Sequence, residues 1–385
     1  MRLSSSSTSS SKRRRALRRR AVAITGLWTL LGLGAMDTAL QVAFRMPADA
    51  RQQPGSMAQY FHYGTSIEGK LKRMVAASDD VATPVVLAGW IDKDCVQAPP
   101  PPAKGALGIT LYGSSFTQHV AGQLKQIDPA LAVAQYAGPG APLNHSYACF
   151  QKLAAAGTDQ NSVQIIGVLA SSVSRMATLG GLTTSFEVPT PFTYPRYYIQ
   201  NGKLVGIEPV VRAPADLRDA GKMARYREQL AQHDAFYDPL LYNANVLDHS
   251  LTLKLFRRAF AQAEDRRISA EMFSGEPGFV ENPQVAPVMR AMLLDFAQKT
   301  RSKGKVPVVI LFQDRGTGAD TLYRMLGPAL EQAGVPLVSS HTIASVDDPR
   351  NFIADGHFTP EVDRKIAEAV LAEARKAMAA RGPLQ

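Results

Sequence analysis

At 385 residues with 45% hydrophobic side chains, the chain is long enough for one large domain or two ordinary ones around a sizeable core. The net charge of +10 does not mark a nucleic-acid-binding body, because eight positives sit at Arg2, Lys12, Arg13, Arg14, Arg15, Arg18, Arg19 and Arg20, leaving only +2 for the remainder. Paired cysteines, His-x-x-x-His spacing and glycine-rich phosphate cradles are all missing from the sequence, so no metal and no cofactor is expected.

Residues 1–20 combine a serine tract with the basic block and read as a disordered tail. Residues 21–44, from Ala21 to Phe44, are apolar over the length a helix needs to cross a bilayer, interrupted only by Asp37. The arginines before that stretch put the N-terminus in the cytoplasm and the chain after Arg45 outside. A cleaved signal peptide and a buried core helix are the competing readings. Asp37 either faces a partner helix or lies near the outer interface.

Residues 45–104 read as a juxtamembrane linker, with Pro47, Pro54 and Gly55, followed by a helical segment from Ser56 to Ala77. Cys95 and Cys149 are the two cysteines. In an exported protein they permit a disulfide; two buried thiols are the alternative.

From residue 105 to the end, strand and helix patterns alternate, the sign of a parallel sheet covered by helices. The spacing predicts strands at Leu107–Tyr112, Leu131–Tyr136, Val163–Leu169, Val306–Phe312 and Val335–Ser339. Helices are predicted at Thr117–Gln126, Ser146–Ala156, Pro287–Ser302, Asp320–Gln332 and Pro360–Ala380. Five strands so arranged give an α/β fold, a flavodoxin-like three-layer α/β/α sandwich. An insertion at about 178–286 interrupts the rhythm. It opens on an aromatic, proline-rich run from Phe186 to Tyr198, passes through a hairpin-like Ile199–Val205 and continues into helices near Met223–Gln232 and Leu251–Ala263. It reads as a lid or side subdomain, its aromatics as packing residues or a sugar-stacking surface.

Leu107 to Thr117 is a strand that breaks on Gly113-Ser114-Ser115 and enters a helix, and the carboxyl ends of such strands carry the chemistry of open α/β sheets. Ser115 is the candidate nucleophile. Its proton needs a base, usually a histidine held by a carboxylate. Asp355-Gly356-His357 supplies both, directly before a helix with Thr359 as N-cap and Pro360 in first position. His119 and His145 read as surface or supporting residues.

The ordered set of Gly-x-Ser-Phe-Thr, Gly138-Pro-Gly140, the polar cluster at Ser171-Ser172 and Asp355-x-His357 resembles the SGNH/GDSL hydrolase superfamily. Within it, the chain is similar to bacterial cell-envelope proteins tied to polysaccharide acetylation or deacetylation. The resemblance implies a Ser115–His357–Asp355 triad and an oxyanion hole that includes Gly140, with Ser171 standing where the family has asparagine. Ser114 stands in place of the family's aspartate, and Asp-x-His in place of Asp-x-x-His leaves Asp347 and Asp348 as alternative orienting acids. It further implies a single-pass inner-membrane protein with a periplasmic domain, an esterase or acetyltransferase acting on an acylated glycan, with a membrane partner to supply acyl groups and no nucleic acid. A catalytically impaired binding component of a polysaccharide machinery is the alternative.

Overall fold

The computed structural model describes residues 8–78, 90–273, 282 and 284–380. The chain opens with helices α1 (Thr8–Ala43), α2 (Ser56–His62), α3 (Ile67–Ala77) and the single turn α4 (Ile91–Asp94). Next come β1 (Gly108–Ser114), α5 (Ser115–Ile127), β2 (Ala132–Gly138), α6 (Leu143–Ala156) and β3 (Val163–Leu169). The insertion holds the hairpin β4 (Arg196–Gln200) and β5 (Lys203–Ile207), then α7 (Ala220–His233), α8 (Pro239–Tyr242) and α9 (Leu251–Met272). The chain closes with α10 (Ala286–Ser302), β6 (Val306–Phe312), α11 (Thr321–Gln332), β7 (Leu337–Ser339) and α12 (Pro360–Ala379).

Among the described residues, β2-β1-β3-β6-β7 form one parallel sheet of five strands. β1, β3 and β6 are buried along their whole length, as strands covered on both faces must be, which is why their sequences are continuous apolar runs. Side chains alternate between two cores. Ile109, Leu111, Ile165 and Ile310 face α5 and α12. Tyr112, Ile166, Val309 and Leu311 face α6, α10 and α11. This is the expected three-layer α/β/α sandwich.

A third core joins segments far apart in sequence. Ile67, Leu71 and Trp90 pack with Leu179, Phe186, Phe192, Tyr194, Tyr226, Leu230 and Tyr242. The N-terminal helical segment and the insertion therefore build one subdomain. Asp248 ties them together, accepting hydrogen bonds from the Ser66 amide and hydroxyl at 2.8 and 2.7 Å and pairing with the buried Arg257 at 2.5 Å. Phe186, Phe192 and Tyr194 are core residues, which removes them as a sugar-stacking surface.

Two expectations shift in detail. The helix foreseen over Ser56–Ala77 is two helices, because the chain turns at Tyr63–Thr65 and Ser66 caps α3 through the Gly69 amide. A Cβ on Gly64 would overlap the Lys254 carbonyl, so this turn is pressed against α9. The tail read as disordered is helical from Thr8, where α1 begins; the earlier serines lie outside the described residues. The stretch Leu17–Ala43 is long and apolar enough to cross a membrane.

Candidate active site

The parallel register brings the ends of β1, β2, β3 and β6 to one edge of the sheet, with Ser114 opposite Gly138 and Leu169 opposite Phe312. Ser115 follows β1 as the first residue of α5, so its amide has no intrahelical acceptor and is available to a developing oxyanion. The tight exit from strand to helix rests on two glycines. A Cβ on Gly113 would stand 2.0 Å from Thr117 Oγ1, and one on Gly167 would stand 2.1 Å from the same atom. Thr117 fills the notch they leave.

His357 comes to Ser115 from 242 residues away. The turn that carries it is fixed by Ile353 N–H donating to the His357 carbonyl at 2.8 Å and Thr359 N–H donating to the Asn351 carbonyl at 2.9 Å, with Gly356 at φ +90°. Thr359 caps α12 and Pro360 opens it, as the sequence predicts. His357 Nε2 lies 2.7 Å from Ser115 Oγ, a hydrogen bond between base and nucleophile. The imidazole lies against two rings, Phe116 and His119, each with its centroid 4.8 Å away.

Asp355 Oδ1 lies 3.0 Å from His357 Nδ1 and also accepts the His357 amide at 3.1 Å. The contact with Nδ1 has the distance but not the alignment of a hydrogen bond. We take it as an electrostatic contact, because the carboxylate is 63% exposed and already committed to the amide. The bond from the His357 amide and the close approach of its ring hold the Asp355 carboxyl below its usual range. The alternative acids are elsewhere engaged. Asp348 pairs with Arg350 at 2.7 Å and caps a short turn, and Asp347 is exposed.

Gly140 sits on the loop after β2 at φ +69°, and its carbonyl accepts Arg175 Nη1 at 3.0 Å, which links this loop to the turn after β3. Ser171 is at the same edge, but its amide donates to Asp314 Oδ1 at 3.0 Å. Burial pushes the Asp314 carboxyl up, opposed by the bonds from Ser171. Ser172 Oγ donates to the Leu169 carbonyl at 2.7 Å. Ser114 is buried, and its hydroxyl has no partner among the described residues.

Cys95 and Cys149 are joined in a disulfide with Cα atoms 5.2 Å apart, tying the segment before the sheet to α6. His145 is buried, edge-on to Phe192 and Tyr194, which leaves the supporting reading of the two the sequence offers.

Sequence reasoning did not find Arg175, Asp314 or Asp363, and it gave His119 no role beyond support. His119 lies one helical turn after Ser115, a spacing that puts both on one face of α5. Its Nδ1 is 3.2 Å from Asp363 Oδ2, a buried carboxyl of α12 that burial pushes up to about 7. Burial and the neighbouring His357 push the His119 imidazole down. Both shifts oppose the doubly charged pair and favour a hydrogen bond between the two over an ion pair.

No family model matches the chain, and no curated protein matches it by sequence. Among solved structures, the chain is similar to a protein described as lipolytic and of the G-D-S-L family from Desulfitobacterium hafniense, at 9% identity and TM-score 0.32, covering 69% of this chain and 98% of that one. It is also similar to a structure described as an acylhydrolase from Bacteroides fragilis, at 8% identity and TM-score 0.38, covering 78% of this chain and 99% of that one.

Proposed function

We propose that the chain is a serine acyl esterase or O-acyltransferase in which Ser115 is the nucleophile, His357 the general base and Asp355 the orienting carboxylate. The observation that carries this reading is the 2.7 Å contact between Ser115 Oγ and His357 Nε2 at the carboxyl edge of a parallel sheet. Ser115 Oγ attacks an ester carbonyl while Nε2 takes its proton. The carbonyl oxygen gains the negative charge and is met by the Ser115 amide and, following the SGNH resemblance, by Gly140. Collapse breaks the ester bond, and His357 returns the proton to the leaving alcohol. A second alcohol or water, deprotonated by His357, then releases the acyl group and restores Ser115.

The substrate in this reading is an O-acylated envelope polysaccharide, which rests on the resemblance alone. The helix over Leu17–Ala43 serves as an inner-membrane anchor. The preceding arginines keep its start in the cytoplasm and leave the domain in the periplasm. A membrane partner would supply acyl groups if the acceptor is a sugar hydroxyl.

The test uses the full chain in detergent with an aryl acetate and a fluorophosphonate probe. Turnover and labelling are expected in wild type and absent from Ser115→Ala and His357→Ala. Absence from folded wild type, or persistence in Ser115→Ala, would refute the reading. A second reading, an inactive glycan-binding component on the same fold, is favoured by one observation: the Ser171 amide is spent on Asp314, and the serine standing where the family has asparagine offers no side-chain amide to an oxyanion.

A further inference from the structure

We propose that His119, held by Asp363, is a positioning residue for His357: it fixes the ring of the base against Phe116 and couples it to a buried carboxyl of α12. This deepens the proposed function and rests on His357 acting as the base.

Phe116 and His119 both lie against the His357 ring, tilted to it by 32° and 38°, so removing either ring takes away a contact that holds the imidazole beside Ser115. Phe116 is itself fixed edge-on to Phe358 and against Phe312, which makes it the fixed jaw. His119 is the other jaw, and it is tied to α12 by the 3.2 Å contact from Nδ1 to Asp363 Oδ2. Asp363 is buried in the first turn of α12, the helix that starts just past the base. Its Oδ1 has no partner among the described residues. A buried carboxyl with one free oxygen is costly unless its charge is used.

The titratable and reactive groups facing His119 are Ser115 on its own helix, Asp355 and His357 on the turn before α12, and Asp363 on α12. Two cationic imidazoles with centroids 4.8 Å apart repel, so His119 stays neutral while His357 takes the proton from Ser115. An ionised Asp363 behind His119 favours that imidazolium; a protonated one does not.

The experiment reads His357 directly and does not require activity. In full-length protein with isotope-labelled histidine, the His357 ring is titrated by NMR in wild type, Asp363→Asn, His119→Phe and His119→Ala. The His357 ring should titrate differently from wild type in both Asp363→Asn and His119→Ala. Fluorophosphonate labelling at pH 8 should fall about tenfold in His119→Ala and stay within about threefold of wild type in His119→Phe, which restores the jaw without the nitrogen. A purely structural role would lower stability without moving the titration. The proposal is overturned if His357 titrates as in wild type in both Asp363→Asn and His119→Ala. Failure of wild type to label, with the titration shifts intact, would refute the esterase reading and leave this one standing.

Discussion

Thr117 packs into the space where Gly167 has no side chain: a methyl there would stand 2.1 Å from Thr117 Oγ1 and 2.9 Å from the Phe312 ring. Thr117 is two residues past Ser115, so the contact sets how closely the start of α5 lies on the sheet. Gly167→Ala should cost about 1–3 kcal/mol, as overpacking does, and should reduce Ser115 labelling by displacing the helix start. Gly122, in the middle of the same helix, has nothing within 4 Å of its would-be Cβ. Gly122→Ala should therefore stabilise by about 0.5–1 kcal/mol. Urea midpoints of the two variants moving in the same direction would contradict the packing argument.

Removing the disulfide should matter even though it lies away from the nucleophile. Cys95 and Cys149 are 54 residues apart, and closing a loop of that length restrains the unfolded chain by about 4 kcal/mol on the entropic account. A Cys95→Ser, Cys149→Ser double variant should lose about 2–4 kcal/mol in denaturant unfolding, as should reduced wild type. Reducing agent should leave the double variant unaffected. An equal response of the two proteins to the reductant would show that the reductant acts elsewhere than on this bond.

Much of this fold was readable from local pattern, and the limits of that reading have physical causes. β3 and β6 match their expected spans because a fully buried parallel strand is an unbroken apolar run. β7 begins at Leu337 rather than Val335, since Pro336 offers no amide to the ladder and only its carbonyl takes part, accepting from Val309. The shared core of α3 and the insertion was not legible, because nothing local in Ile67 or Leu71 names Leu179 or Tyr242 as a partner. Ser115 and His357 were found because each stands at a strand end or a helix cap that leaves a mark in sequence. Asp363 leaves none: a carboxylate in the first turn of a helix is ordinary for the dipole, and only the fold shows it buried against a residue 244 positions earlier.

Asp355→Asn should weaken the site without abolishing it. The carboxylate is exposed and misaligned with His357 Nδ1, so its main service is a negative charge close to the ring. That charge favours the imidazolium formed when His357 takes the Ser115 proton. Labelling in Asp355→Asn should lose about tenfold in maximum rate, far less than in Ser115→Ala. Because the Asp355 carboxyl is held below its usual range, the wild-type charge persists into mildly acidic medium. A loss as large as that of Ser115→Ala would mean that Asp355 orients the ring more strictly than its geometry indicates.

Asp234 should make the protein less stable as the medium turns neutral. It is buried, accepts from the Leu179 and Phe236 amides and from Thr183 Oγ1, and its carboxyl is raised by burial to about 6. A folded value above the unfolded one means that the folded state holds the proton more tightly. Stability is then greatest below the unfolded value and declines as pH rises from about 4 through 6. Asp234→Asn should flatten that decline, on the order of 1–3 kcal/mol, in unfolding measured between about pH 4 and 7.5. A decline of equal depth in the variant would assign it to other groups, Asp363 first among them, since its carboxyl is raised in the same direction.

Asp37 joins α1 to the domain. Its Oδ1 accepts the Ser250 hydroxyl at 3.0 Å and the Thr252 amide at 2.8 Å, in the first turn of α9 where unpaired amides and the helix dipole favour a carboxylate. Gln41 braces the joint, donating to Asp37 Oδ2 at 2.7 Å and to the His249 carbonyl at 2.6 Å. The acid that interrupts the apolar stretch is thus engaged by its own domain and does not call for a partner helix. Breaking this joint should loosen α1 without unfolding the sheet. Asp37→Ala should weaken it by about 1–2 kcal/mol, the usual cost of losing a cap. Trypsin should then cut faster at Arg45 and Arg51, while the thermal midpoint of the domain stays within about 1 °C of wild type. Asp37→Asn, which retains an oxygen acceptor, should fall between the two. Equal cleavage rates in all three proteins would show that the contact carries no weight, leaving Phe44 against Phe61 as the tie that sets the domain on its helix.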